Sequence, residues 1–304
     1  MAVLKKLIFI LPFFLSYATF VFLVSPFLQN PNQVLSLDLE NLKLFIFITI
    51  SLLASAVFFV TFATMAVSDW MFIVPIALFV SMSAVIFALP LPAFIIGFGS
   101  FFSFIVASFS LKKKLANYLS FDASSILVPV IKQISTLLIL ILSFVFYLNS
   151  SFDIQAHGFR PPSSLINIAL KFIPAQNLNQ NLNSNLQISP DQIALLEQNP
   201  AILKQYGVDP SMLESLKNQK PNTNLSANDL IRPFIENQLR AVVAPYQNFI
   251  PIFLTACFFI TLLTFSSLLS AFLPLFILII FYLLETTNLV RYEVETREVN
   301  KLVV

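Results

Sequence analysis

From Phe249 to Val290 the chain reads FIPIFLTACFFITLLTFSSLLSAFLPLFILIIFYLLETTNLV, over 40 residues with a single charged side chain, Glu285. A helix needs about 20 apolar residues to cross a hydrocarbon layer about 30 Å thick, so this stretch has the length of two spans. A turn near Ser266-Ser267 or Ser270 would divide it. Similar blocks recur upstream at Leu7 to Leu28, Leu44 to Val67, Trp70 to Leu89, Ala93 to Leu111 and Ile126 to Leu148. Ser68-Asp69 and Pro90-Leu91-Pro92 read as hairpin links between them. The fold class expected is all-α, a polytopic transmembrane bundle of about seven spans with a small helical extracytoplasmic insert between spans five and six.

Composition agrees. Of 304 residues, 58% are hydrophobic and only 11% charged, and the mean hydropathy is +0.86. A soluble domain carries about 25% charged residues to clothe its surface. The net charge of +2 gives no reason to expect a nucleic-acid partner. One cysteine, Cys257, excludes an internal disulfide and any multi-thiolate metal site. The lone His157 cannot assemble a zinc centre. Gly97-Phe98-Gly99-Ser100 has the wrong order for a nucleophile elbow. It reads as a close helix contact, since small residues let membrane helices approach. The sequence therefore predicts no enzyme, no catalytic residue, no metal and no cofactor.

Lysine sets the orientation, because cytoplasmic loops retain Lys and Arg. Lys5 and Lys6 precede the first span, and Lys112, Lys113 and Lys114 follow the fourth. Both clusters fall inside if the N-terminus is cytoplasmic. The organisation is then a five-span region 1–148, an extracytoplasmic loop domain 149–247, two spans within 248–290 and a charged tail 291–304. A bacterial cytoplasmic membrane suits this plan. Seven spans leave the tail outside, although Arg291, Arg297 and Lys301 argue for the inside. The rival makes Phe249 to Leu268 a re-entrant hairpin, which returns the tail to the cytoplasm.

Within the loop domain, Pro190, Pro200 and Pro210 each follow a capping residue (Ser189, Asn199, Asp209). Proline at the first helical position after such a cap marks a helix start, so three short helices are expected over 189–217. Residues 229–244 have apolar side chains at helical spacing, an amphipathic helix leading into span six. In the tail, Leu289, Tyr292, Thr296, Val299 and Val303 follow one another in steps of three and four, the spacing of a coiled-coil seam.

Two intramembrane charges remain. Lys132 lies about two turns inside span five and Glu285 just over one turn from the end of span seven. Snorkelling to an interface accounts for each; an anion site at Lys132 is the functional alternative. With the tail cytoplasmic the two lie at similar depth and can pair. Finally, Ala56 to Thr64 resembles Ala256 to Thr264, with Pro75 and Pro274 following at near-matching distances, the pattern of a parallel duplication found in some transporters. Two readings of function follow. One is a non-catalytic envelope component that docks other membrane or envelope proteins, or a second copy, through the insert and through Tyr292, Val299 and Val303. The other is a permease or channel for a small solute or lipid.

Overall fold

A computed structural model describes residues 8–36, 38–67, 69–87, 90–117, 121–159, 161–162, 166, 243–287 and 289–290. Regular structure among them is helical throughout, with no strand. The α-helices are α1 (Ile10–Gln29), α2 (Leu39–Met65), α3 (Trp70–Met82), α4 (Ala84–Phe87), α5 (Pro90–Asn117), α6 (Ala123–His157), α7 (Ile250–Ser270) and α8 (Leu273–Thr286). Short 3-10 helices occupy Pro31–Leu35 and Ala244–Tyr246. Five helices, α1, α2, α5, α6 and α7, are long and apolar enough to cross a membrane. The helices expected over 189–217, the amphipathic helix except its last residues, and the tail seam at Tyr292, Val299 and Val303 lie outside the described residues.

The chain divides into two compact units. One comprises residues 1–25, 43–145 and 259–304; the other comprises 26–42 and 146–258. In the first, aromatic contacts fix helix directions. Phe13 of α1 meets Phe104 of α5 (5.1 Å between centroids) and Phe59 of α2 (5.3 Å), and Phe59 meets Phe104 (4.6 Å). Four residues along α1, Tyr17 reaches Ser100, four residues back along α5. α1 and α5 are therefore antiparallel, and α1 begins at the end of α5 that carries Lys112–Lys114. That agrees with the side shared by the two lysine clusters in the sequence.

α3 runs back along α5. Trp70, its first residue, meets Phe109 with ring centroids 4.7 Å apart and planes tilted by 41°. At its other end a Cβ on Gly97 would lie 3.2 Å from the Ser81 carbonyl oxygen. Ser83 separates α3 from α4 but keeps helical angles (φ −60°, ψ −17°). Its hydroxyl donates to the Val80 carbonyl at 2.6 Å, a back-bond of the kind that bends helices. Trp70 to Phe87 is thus one bent helix.

α5 and α6 form an antiparallel hairpin. A Cβ on Gly99 would come within 2.6 Å of Ile141 Cγ2, so glycine is what lets the two backbones approach. Asn117 ends α5 and Ala123 begins α6, equally far down each helix from the Gly99–Ile141 contact. Counting in equal steps sets Val128 opposite Lys112 and Leu148 about 30 Å further on at 1.5 Å per residue, the thickness of the hydrocarbon core. α6 does not stop there. It has 35 residues, about 52 Å, and ends at His157. Gly158 closes it at φ 70°, its N–H bonding the Ile154 carbonyl at 2.9 Å, the left-handed cap that glycine adopts without strain. Residues 149–157, expected to open the loop domain, continue the helix.

The α7–α8 junction falls at Ala271-Phe272, next to Ser270, one of the two places where a turn was expected. The N–H groups of Ala271 and Phe272 bond the carbonyls three residues back, Leu268 (3.3 Å) and Leu269 (3.1 Å). Phe272 has φ −87°, ψ −10°, and Phe276 N–H already bonds the Phe272 carbonyl (3.1 Å). These are helical angles tightened into a 3-10 turn, with Pro274 removing one donor. α8 then brings Phe281 against Phe121 (5.6 Å), just before α6, at the lysine end of the unit.

Candidate functional site

The helices of the first unit are held by carbon packing and by a hydrogen bond from Tyr17 to Ser100. Lipid tails are as apolar as leucine, so close packing and hydrogen bonds supply the association. Most buried hydroxyls spend their donors at home: Thr49, Thr61, Ser108, Ser135 and Ser143 each donate to the carbonyl four residues earlier. Such groups are satisfied without presenting a polar surface to a neighbour. Tyr17 differs. Its Oη donates to Ser100 Oγ at 2.8 Å, while its ring lies 5.9 Å from Phe104 and is fully buried. A buried tyrosine needs a partner for its hydroxyl, and Ser100 is that partner. The Gly97–Ser100 stretch, read as a close helix contact, is one: the two glycines admit α3 and α6, and the serine ties α1.

The two predicted intramembrane charges stand apart. Lys132 and Glu285 are both exposed, and no ion pair joins them. By the hairpin count Lys132 lies opposite Ser108, four residues or about 6 Å inside the level of Lys112. Glu285 lies one turn beyond Phe281, toward the lysine end. Both positions suit side chains that reach an interface. Below them, the Asp122 carboxylate accepts from the Ser124 hydroxyl (2.9 Å) and backbone N–H (3.0 Å). Those bonds hold it below the usual carboxylate range and cap α6.

In the second unit Asn149 Nδ2 donates to the Leu28 carbonyl at 3.0 Å, filling one of the acceptors that the end of α1 leaves open. Phe258 of α7 stacks on Phe146 of α6 (4.5 Å, 13° between planes) and meets Phe27 of α1 at 5.8 Å. His157 is the last residue of α6, its Nδ1 3.0 Å from Asp153 Oδ1; the sequence had placed it in the loop domain 149–247. Cys257 is half-buried in α7. Among the described residues no three His, Cys, Asp or Glu side chains gather where a metal could bind.

Compared with protein-family models, with curated proteins and with solved structures, the chain matches none. Its function is therefore argued from its own residues. Sequence reasoning missed Tyr17 and Asn149. Tyr17 left a usable signal, a hydroxyl in mid-span that must find a partner. Asn149 left none, because its partner is a backbone carbonyl far away in sequence.

Proposed function

We propose that this chain is a non-catalytic component of the bacterial cytoplasmic membrane that docks other envelope proteins through the segment 149–247 and the tail 291–304. The observation that carries the reading is the length of α6. About 30 Å of it suffices for the bilayer, yet it continues through Asn149 to His157, about 13 Å further. That extension is tied at its root by Asn149 to α1 and by Phe146 to α7. A rigid stalk under a large polar segment is the form of a platform. The inward-turned hydroxyls of the first unit support a closed bundle over a permease or channel, which needs polar groups along a path.

The bend at Ala271-Phe272 supports six crossings where composition allowed seven. α3 with α4 makes one crossing and α7 with α8 makes one, so both termini share a side. Arg291, Arg297 and Lys301 then lie with Lys112–Lys114 on the cytoplasmic side, as positive-inside retention requires, and 149–247 is extracytoplasmic.

The test uses the whole chain in its own membrane. A photo-crosslinking residue at the exposed Gln155 should give discrete protein adducts, lost when 167–242 is replaced by a flexible linker of equal length. Purified protein in liposomes should pass ions and small solutes at the rate of empty vesicles. Selective flux through the liposomes, with no adduct at Gln155, would establish the permease reading instead.

A further inference from the structure

Between α5 and α6 the outer surface of the first unit is furrowed. Phe94, Phe98, Leu140 and Phe144 border a groove of about 410 Å³ floored by Gly99 and Ile141, and its lining is apolar. The four bordering side chains are each about half exposed. Two exposed stripes lead from the groove toward the lysine end. On α5 the stripe runs Phe98, Phe102, Val106, Phe109 and then Lys112 and Lys113; on α6 it runs Leu140, Thr136 and Lys132. Steps of three and four keep each stripe on one face. Oil at one end of the furrow thus gives way to three exposed ammonium groups at the other. No acidic residue occurs on α5, and none on α6 before Asp153; Asp122, just before α6, has its carboxylate engaged by Ser124, and Glu285 lies on α8.

Dimensions select the occupant. Along α6, Lys132 lies about 12 Å from Leu140 and about 18 Å from Phe144. One leaflet of hydrocarbon is half of about 30 Å, so about 15 Å. A phosphate drawn in to the level of Lys132, where Lys112 or Lys113 can reach it from about 6 Å further out, therefore places the end of its own acyl chain between Leu140 and Phe144. We infer that the α5–α6 furrow binds an anionic phospholipid of the leaflet adjoining Lys112–Lys114, with its phosphate on those lysines and one acyl chain in the groove floored by Gly99. A zwitterionic lipid fits the groove equally well but gains less from the lysines. This assignment requires only that the helices cross a bilayer, and it stands independently of the docking reading.

The experiment places the full chain in phosphatidylcholine nanodiscs containing a minor fraction of phosphatidylglycerol that carries a photoactivatable group at the acyl-chain end. Labelled residues are mapped by mass spectrometry. The label should concentrate on Phe94, Phe98, Leu140 and Phe144. A basic residue near an anionic surface is worth about a fivefold change in occupancy, so Lys132→Gln should lower labelling about fivefold and Lys132→Arg should keep it. Lys43→Gln removes the same charge from the start of α2 and should change nothing. Since Lys132 is exposed, loss of folding is not expected, and unchanged thermal unfolding of the variant checks that. Equal labelling by a choline-headed probe, or labelling unaffected by Lys132→Gln, would overturn the assignment.

Discussion

At the end of α2, Asp69 takes φ −112° and ψ 75°, outside the helical region, and the next helix starts at Trp70 against Phe109 and heads back along α5. At the end of α7, Phe272 stays helical at φ −87° and ψ −10°, and α8 carries on until Phe281 meets Phe121. The two junctions follow related sequences, Ala56 to Thr64 and Ala256 to Thr264, and each has a proline shortly after. Their backbones nevertheless differ at the junction. Asp69 leaves the right-handed region, whereas Phe272 keeps it and the 3-10 hydrogen bonds of Ala271 and Phe272 to Leu268 and Leu269 persist, the signature of a kink at Pro274. Apolar length cannot tell these cases apart, and the side on which the tail emerges depends on the difference.

The sharpest way to break this comparison is to ask where the tail lies. On a Cys257→Ala background, cysteine at Asn300 should resist an impermeant maleimide in intact cells and react fully after lysis. Cysteine at Asn117 should behave in the same way, while cysteine at Ser184 should react without lysis. The expected contrast is all-or-none. Labelling of Asn300→Cys in intact cells would mean that α7 and α8 form a hairpin after all.

The comparison also depends on the levels assigned to α5 and α6, which rest on Gly99. Valine there would drive its side chain into Ile141, since even a Cβ meets Ile141 Cγ2 at 2.6 Å. Gly99→Val should destabilise the protein by about 1–3 kcal/mol, the usual cost of overpacking, read as a lower midpoint of unfolding in mild detergent. Ile141→Ala should recover part of that loss in the double variant. A neutral Gly99→Val would mean that the helices do not approach there and that the count down the hairpin is wrong.

A smaller effect sharpens the level of α1. Tyr17→Phe removes the hydrogen bond to Ser100 while keeping the ring. Interhelical hydrogen bonds in membranes average about 0.6 kcal/mol and reach about 1.7 kcal/mol. Tyr17→Phe should cost a value in that range, and the double variant with Ser100→Ala should cost no more than the larger single effect. Full additivity would show that the two hydroxyls are not bonded to each other.

Much of the fold was legible because the bilayer imposes a length. Five apolar blocks became five long helices, and α1 begins at the end of α5 that carries Lys112–Lys114. The break at Ala271-Phe272 was legible in part: a turn near Ser270 was expected, and α7 ends at Ser270, whose hydroxyl donates to the Ser267 carbonyl, but the 3-10 bonds that follow left no signal. The overrun of α6 was not legible. Asn149, Ser150, Ser151 and Asp153 read as loop by composition, while Ser150 is buried and bonds back to the Phe146 carbonyl. Of the candidate sites, Lys132 was found from sequence alone, because a charge among apolar residues is conspicuous. Its companions Lys112 and Lys113 read only as an orientation signal until α6 was seen to bring Lys132 within a turn of their level.

The overrun of α6 has a further consequence for how the protein sits in membranes of unequal thickness. A span that ends at the hydrocarbon edge must tilt, or thin the lipid around it, whenever the bilayer changes. α6 has about nine residues in reserve, and Phe152 and Ile154 among them tolerate hydrocarbon. In a membrane about 3 Å thicker, roughly two of those residues slip under the surface. α6 can thus draw on its own length before it has to tilt, and because Asn149 and Phe146 tie it to α1 and α7, those helices share the adjustment.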